Sequence, residues 1–403
     1  MTRKSLFRNP RTLLLAILLV ASSGYLYFSL TLSCLASEQN KIRDLPELVV
    51  SQPLEKKKSV TPAPLAIRKR TAVIIIAPMR SGSTFVGELF NQHPNAFYVF
   101  EPFWALENYA NKTYDITTET KLTFLEGISS CKFQGIQGVM RFYLTTKGMG
   151  VYKTCKAIES MCARYRNQTK GKITLAQRCP VPPSSLPSVL RSTCEAKQFT
   201  AIKTIRLDDL TILQPLTLVD DLDFKVIQLV RDPRAVISSR IALGRKNISL
   251  LSSLNTKVDK KEVRQLCDRM VRNAQPYKDN ASWLRERYAL VRYEDVGLKP
   301  LDMMQKFYNF IGVTPNKNVT DWIKTHTKTA KRKKDRNDPF GTIKDPLQAC
   351  NQWRTRLTFD EAKVIQSECK EAMTIFGYEY VTSAKQMRNK SVDLYDTRAP
   401  IVL

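Results

Sequence analysis

The segment "TAVIIIAPMRSGSTFVGELFNQHPNAF" constrains the fold of this chain more than any other. Thr71 to Ile76 is a run of β-branched and small residues, apolar without alternation, which predicts a strand buried on both faces. A helical pattern follows. Between them lies a turn of Arg80, Ser81, Gly82, Ser83 and Thr84, side chains that fill no core. A turn leading from a strand into a helix presents unpaired amides and the positive end of the helix dipole, and that combination suits an anion. Gly82 lets the backbone approach closely, Ser83 and Thr84 add hydroxyls, and Arg80 adds a fixed charge with a forked set of donors. The loop resembles a phosphate loop, but the GxxxxGK[ST] pattern of nucleoside triphosphatases is absent. A plain helix cap would account for Ser81 or Ser83 alone.

A second cluster answers the first. In "VIQLVRDPRAVISSR" an apolar run ends at Val230, and Arg231, Asp232 and Pro233 form a turn. Proline suits the first turn of a helix, so Arg231 falls at the carboxyl end of a strand, where open α/β sheets bind ligands. Ser238, Ser239 and Arg240 lie two helical turns on, and the span from Arg231 to Ser239 can bring a guanidinium and a hydroxyl onto one phosphate. Two anion-binding turns imply a nucleotide with two separate anionic ends.

Further apolar strings at Phe97 to Phe100, Phe199 to Ile205, Phe224 to Val230 and Ala289 to Tyr293 read as strands. Helical patterns at Pro233 to Leu243 and Leu301 to Ile311 follow two of them. Alternation of this kind predicts an α/β fold, a P-loop-like parallel sheet flanked by helices. Residues 111–192 are irregular and cysteine-rich and read as a disulfide-stapled insertion, and Lys328 to Arg336 is a basic loop.

Upstream, Leu13 to Leu32 is apolar over about 20 residues, enough to span a bilayer. Arg3, Lys4, Arg8 and Arg11 precede it, so the positive-inside rule puts the N-terminus in the cytosol and the rest in a lumen. The competing reading is a cleaved signal peptide ending near Cys34, Leu35 and Ala36. The boundaries expected are a cytosolic tail over 1–12, a single transmembrane helix over 13–32, a stem over 33–70, a catalytic domain over 71–382 and a tail over 383–403. Six Asn-x-Ser/Thr sequons, at Asn111, Asn167, Asn247, Asn280, Asn318 and Asn389, support a lumenal domain. So do the eight cysteines beyond Cys34, an even number fit for disulfides. A metal site is not expected, since there is no Cys-x-x-Cys and the only histidines are His93 and His326. The formal charge of +27 implies a polyanionic partner. A lumenal domain excludes nucleic acid and leaves an acidic glycan as the match.

The strings "RSGSTF", "FEP" and "LVRDPRAVISSR", with "AIKTIR", "LVRYEDV", "QWR" and "NKSVDL", resemble the Golgi carbohydrate 6-O-sulfotransferases over roughly residues 71 to 395. The resemblance is nearest to the keratan sulfate galactose and chondroitin N-acetylgalactosamine branches. It implies a sulfotransferase fold and 3'-phosphoadenylyl sulfate as co-substrate, without metal. Met79, Arg80, Ser81, Gly82, Ser83, Thr84 and Phe85 would then hold the 5'-phosphosulfate, and Arg231 and Ser239 the 3'-phosphate. It further implies a galactose or N-acetylgalactosamine 6-hydroxyl in keratan or chondroitin as acceptor, and a Golgi membrane location.

Sulfuryl transfer, like phosphoryl transfer, is catalysed by positioning and charge stabilisation, a role that falls to Arg80. Glu101, just past a strand, is the candidate base or else a structural ion pair, and His93 is its rival. Lys203 and Arg206 leave a strand near the expected cleft as candidate substrate contacts. Trp353 is a candidate adenine platform or a core residue. Two other functions remain in view. A membrane-anchored glycan-binding protein would explain the charge but not two anion turns. A glycosyltransferase would want an Asp-x-Asp site, which "DDLD" at Asp220 to Asp223 only approximates.

Topology is testable directly. An uncleaved anchor predicts that an N-terminal tag stays attached and is digested by protease in intact microsomes, while glycosidase treatment increases gel mobility. Loss of the tag during maturation would favour the signal peptide.

Overall fold

The run Arg70–Ile76 forms β1, the central strand of the domain, and its residues from Ala72 onward are buried on both faces. The computed structural model describes residues 69–110, 116–146, 155–168, 178–245, 255–327 and 346–396. The tail at 1–12, the apolar run at 13–32, the stem up to residue 68, the basic loop at 328–336 and the sequons at Asn111 and Asn247 lie outside those residues, whereas Arg70, expected to end the stem, opens β1. No helix among the described residues is long and apolar enough to cross a membrane.

Four further strands, β2 (Ala96–Phe100), β3 (Phe199–Thr204), β4 (Leu222–Val230) and β5 (Tyr288–Arg292), complete a five-stranded sheet of order β2-β3-β1-β4-β5. Every pairing is parallel, with Ile76 beside Thr204 on one side and Gln228 on the other. Parallel strands need crossovers, and helices such as Ser83–Asn91 and Pro233–Gly244 supply them. From β1 the chain first winds toward β3 and β2, then crosses to β4 and β5. The crevice at the carboxyl ends of β1 and β4 is therefore the topological switch point, where such sheets place ligands.

The strands begin and end within two residues of the sequence expectation. Two other regions differ from it. The segment expected to be irregular is largely helical, with helices Thr118–Ser129, Gln137–Thr145, Lys156–Arg166 and Leu186–Glu195. Disulfides Cys131–Cys194 and Cys162–Cys179 staple it. The residues expected to form a C-terminal tail instead complete a second hydrophobic cluster. Met387 and Leu394 are buried in it, Tyr395 bridges to Tyr378, and Arg354 donates to the Asn389 and Val392 carbonyls.

The third disulfide, Cys267–Cys369, ties helix Lys260–Lys278 to the end of helix Phe359–Glu368 within that cluster. It closes a 102-residue span, which loop-closure arithmetic rates at about 5 kcal/mol. Cys155 and Cys350 are buried outside these three pairs. Asn167, Asn280, Asn318 and Asn389 are all exposed, as glycan acceptors must be.

Candidate active site

The loop after β1 reaches the switch point through two residues in the left-handed region, Arg80 at φ 75° and Gly82 at φ 89°. Arg80 carries a Cβ there, a strain of about 1 to 3 kcal/mol that persists only where the surroundings fix it. Gly82 is required twice over, by its φ and because a Cβ would lie 2.1 Å from the Tyr293 ring. Gly82 caps helix Ser83–Asn91 without any side-chain hydrogen bond, and its carbonyl takes the Phe85 and Val86 amides, which leaves the Ser83 and Thr84 amides as the uncapped donors of the first turn. Ser81 differs from expectation. Its hydroxyl donates to the Pro78 carbonyl at 2.7 Å inside the turn and is fully buried. Phe85 packs its ring 5.4 Å from Trp322.

The second turn meets the first directly. Asp232 caps helix Pro233–Gly244 by accepting from the Arg234 amide, and Pro233 occupies the first turn. Arg234, fully buried, pairs with Asp232 at 2.8 Å and lies over the Trp353 ring. With Asp232 and Arg234 so engaged, Arg231 points into the crevice. It donates to the Arg80 carbonyl at 2.9 Å and the Ala349 carbonyl at 2.7 Å, and its guanidinium lies 4.8 Å from the centre of the Tyr293 ring. Arg80 in turn donates to the Ser239 hydroxyl at 3.0 Å. Two buried polar atoms at this seam, Arg231 Nε and Ser238 Oγ, have no partner among the described residues.

Beyond β3, Glu101 turns the chain out of edge strand β2 at φ 51°. It is 1% exposed and accepts from Lys203 at 2.6 Å, Arg206 at 2.7 Å and the Ile205 amide at 3.1 Å. Lys203 also lies 4.5 Å from the Phe100 ring. Burial lowers its pKa, while Glu101 opposes the shift and Arg80 adds to it, which places the two clusters within electrostatic reach. Arg206 extends to Glu107 at 2.9 Å.

Two candidates fall elsewhere. Trp353 is 3% exposed in the second hydrophobic cluster, beneath Arg234, so it is a core residue and not an open adenine platform. His93 sits where the chain enters β2, at the opposite end of the sheet from Arg80, bonded to the Thr314 carbonyl and the Asn95 amide. Burial lowers its pKa.

Two residues, Arg240 and Tyr293, gain roles the sequence did not assign, and Glu294, at a strand end, takes the loop-orienting part its position suggests. Arg240 donates to the Met79 carbonyl at 3.3 Å and to Glu262 at 3.0 Å, bracing the loop from below. Tyr293 fills the space Gly82 leaves. Glu294 accepts from the Asp232 amide and the Tyr378 hydroxyl, and burial pushes its pKa up to about 7. The placement of Tyr293 and Glu294 at a strand end was the available signal.

A parallel sheet whose switch point joins an uncapped helix start to a second, arginine-bearing turn defines an α/β anion-binding site. Residues 70–377 match the family model described as sulfotransferase domain. The chain belongs to the sulfotransferase family and is a sulfate-transferring enzyme. Carbohydrate sulfotransferase 3 of Mus musculus is 31% identical over 349 residues, spanning 82% of this chain and 72% of that one. Carbohydrate sulfotransferase 1 of Danio rerio is 30% identical over 365 residues, spanning 82% and 83%. Among solved structures, the sulfotransferase domain from the Synechococcus PCC 7002 olefin synthase is 18% identical over 74% of this chain and 94% of that one, with a TM-score of 0.38.

The Glu101 geometry predicts a cost. Glu101→Gln leaves buried Lys203 without its countercharge and should lower stability by about 3 to 5 kcal/mol, read from chemical denaturation. Native stability in that variant would show that other groups hold Lys203.

Proposed function

We propose that this enzyme transfers sulfate from 3'-phosphoadenylyl sulfate to the 6-hydroxyl of galactose or N-acetylgalactosamine in keratan or chondroitin glycans, without metal. The observation that carries this reading is the seam between the two turns, Arg231 to the Arg80 carbonyl and Arg80 to Ser239. Such a seam suits a single nucleotide with anions at both ends. The residues present fit that co-substrate. The uncapped first-turn amides with Met79 to Phe85 would hold its 5'-phosphosulfate, and Arg231 with Ser239 its 3'-phosphate. The partnerless Arg231 Nε and Ser238 Oγ are polar atoms that a phosphate could satisfy.

The co-substrate supplies the electrophilic sulfuryl group. Arg80 carries a fixed positive charge beside the leaving side and cannot surrender its proton. In this reading Glu101 holds Lys203 and Arg206 at the acceptor side. A base role for Glu101 would instead show as Glu101→Gln turnover per folded molecule reduced by roughly 10² to 10⁴. The names of the related carbohydrate sulfotransferases support a carbohydrate acceptor. The +27 charge supports an acidic glycosaminoglycan or glycoprotein glycan. Exposed sequons and three disulfides support a Golgi lumenal domain behind a single-pass anchor.

Radiolabelled sulfate transfer to desulfated keratan, chondroitin and heparosan chains, with the product disaccharides identified, tests the acceptor. Label at a galactose or N-acetylgalactosamine 6-position in the presence of EDTA is expected. Label confined to heparosan would overturn the assignment. Arg231→Ala should weaken adenosine 3',5'-bisphosphate binding by about 1.5 to 3 kcal/mol. Adenosine 5'-phosphate should lose only what loosening of the Arg80 loop costs, so calorimetry would show the two nucleotides converging in affinity.

A further inference from the structure

Helix Pro102–Ala110 starts at the site, since the Trp104 amide donates to the Glu101 carbonyl at 3.0 Å. Along it and the neighbouring helix Gln137–Thr145 lie three aromatic rings. Trp104 and Phe142 stack with centroids 6.1 Å apart and planes 28° apart, and Tyr109 meets Phe142 edge-on at 5.9 Å. Tyr109 is 48% exposed, and Trp104 and Phe142 pack on the core while remaining partly open. The array is built into the backbone. A Cβ on Gly138 would lie 2.5 Å from the Tyr109 hydroxyl, so glycine there gives the tyrosine tip room to lie across the helix.

An open aromatic face is costly to leave wet, and aromatic walls with a few polar groups are the usual lining of small-ligand sites. The polar groups here are Arg206, which links Glu101 to Glu107, and Lys121, whose charge also acts on Glu107. Three cations, Lys203, Arg206 and Lys121, stand here against two carboxylates, Glu101 and Glu107, a balance that favours a ligand with acidic substituents. Aromatic faces stack on the side of a pyranose that carries only C–H bonds, and a ring of galactose configuration has such a side. Its axial 4-hydroxyl points away from one side of the ring and gathers C–H bonds there into an apolar patch, whereas an all-equatorial ring divides them between two faces.

We propose that Trp104, Phe142 and Tyr109 form the acceptor subsite, stacking on the apolar face of a galactose-configured residue of an anionic glycan, with Arg206 and Lys121 at its acidic substituents. The inference rests on the carbohydrate-acceptor reading and extends it to named specificity residues. Sulfate transfer by the full chain tests it through the split between the two Michaelis constants. Because Trp104 packs on the core, Tyr109→Ala and Phe142→Leu are the deciding variants, with Trp104→Phe as the conservative replacement.

Tyr109→Ala and Phe142→Leu should raise the acceptor KM at least roughly tenfold while leaving the KM for 3'-phosphoadenylyl sulfate and the melting temperature nearly unchanged. Trp104→Phe should retain most affinity. Unchanged acceptor KM in folded Tyr109→Ala and Phe142→Leu enzymes overturns the subsite. Equal KM for galactose-type and heparosan-type oligosaccharides overturns its stereochemical basis. If the unmodified enzyme sulfates no glycan, the acceptor reading fails on its own. Saturation-transfer NMR with N-acetyllactosamine then decides the subsite separately: contact at the galactose C–H face that Tyr109→Ala abolishes supports it, and absence of contact overturns it.

Discussion

The geometry of the site depends on one guanidinium. Arg231 grips the Arg80 and Ala349 carbonyls and lies against Tyr293, tying together the loop after β1, the ends of β4 and β5, and the segment around residue 349. Arginine can do this because its planar fork serves two acceptors at fixed angles while its face still packs on a ring. Tyr293 passes the constraint on by filling the volume that Gly82 leaves open. The anion loop contains two left-handed residues and would not hold that shape by itself. Its conformation is imposed by β4 and β5, the price of a preformed anion site.

The buried charges show how the remaining field is arranged. Lys203 with Glu101, Arg234 with Asp232, Arg240 with Glu262 and Arg292 with Asp295 are all paired in or near the interior. Pairs of this kind add little net stability, because desolvation consumes most of the attraction, but breaking one is expensive. What they secure is position. Charges and dipoles fixed before a ligand arrives need no reorganisation when negative charge develops, and that is where electrostatic catalysis gains most. The basic excess of the chain is a separate matter, acting at longer range on a polyanionic partner.

Much of this was legible in the sequence because it is local. The strand–turn–helix around Gly82 and the Arg231–Asp232–Pro233 turn are short motifs whose residue types serve one purpose each. The alternation of strands and helices then fixed a parallel sheet. What escaped were contacts between residues far apart in the chain. Glu101 and Lys203 meet because β2 and β3 are adjacent in the sheet, and an insertion of nearly a hundred residues separates them in sequence. Trp353 could not be assigned without knowing that Arg234 and a folded C-terminal segment cover it. Helices in the insertion were missed because no strands alternate with them among the described residues, and two disulfides supply part of the order that periodicity would otherwise signal. Ser81 looked like a ligand donor, but the turn consumes its hydroxyl.

Strand order also divides the site by evolutionary freedom. The turns that make up the anion seam follow β1 and β4, the two strands at the switch point, and β5 supports them from the adjacent edge. These connections run straight into helices, and changes in them would disturb Arg80, Arg231 or Tyr293 at once. The long insertion instead leaves from β2 and returns at β3, on the other side of β1. Its junction with the sheet carries the Glu101–Lys203 pair, which Arg80 reaches electrostatically. Rigid ion pairs at that junction would let the insertion vary without moving the anion loop. The parallel sheet separates the seam from the insertion through strand order alone.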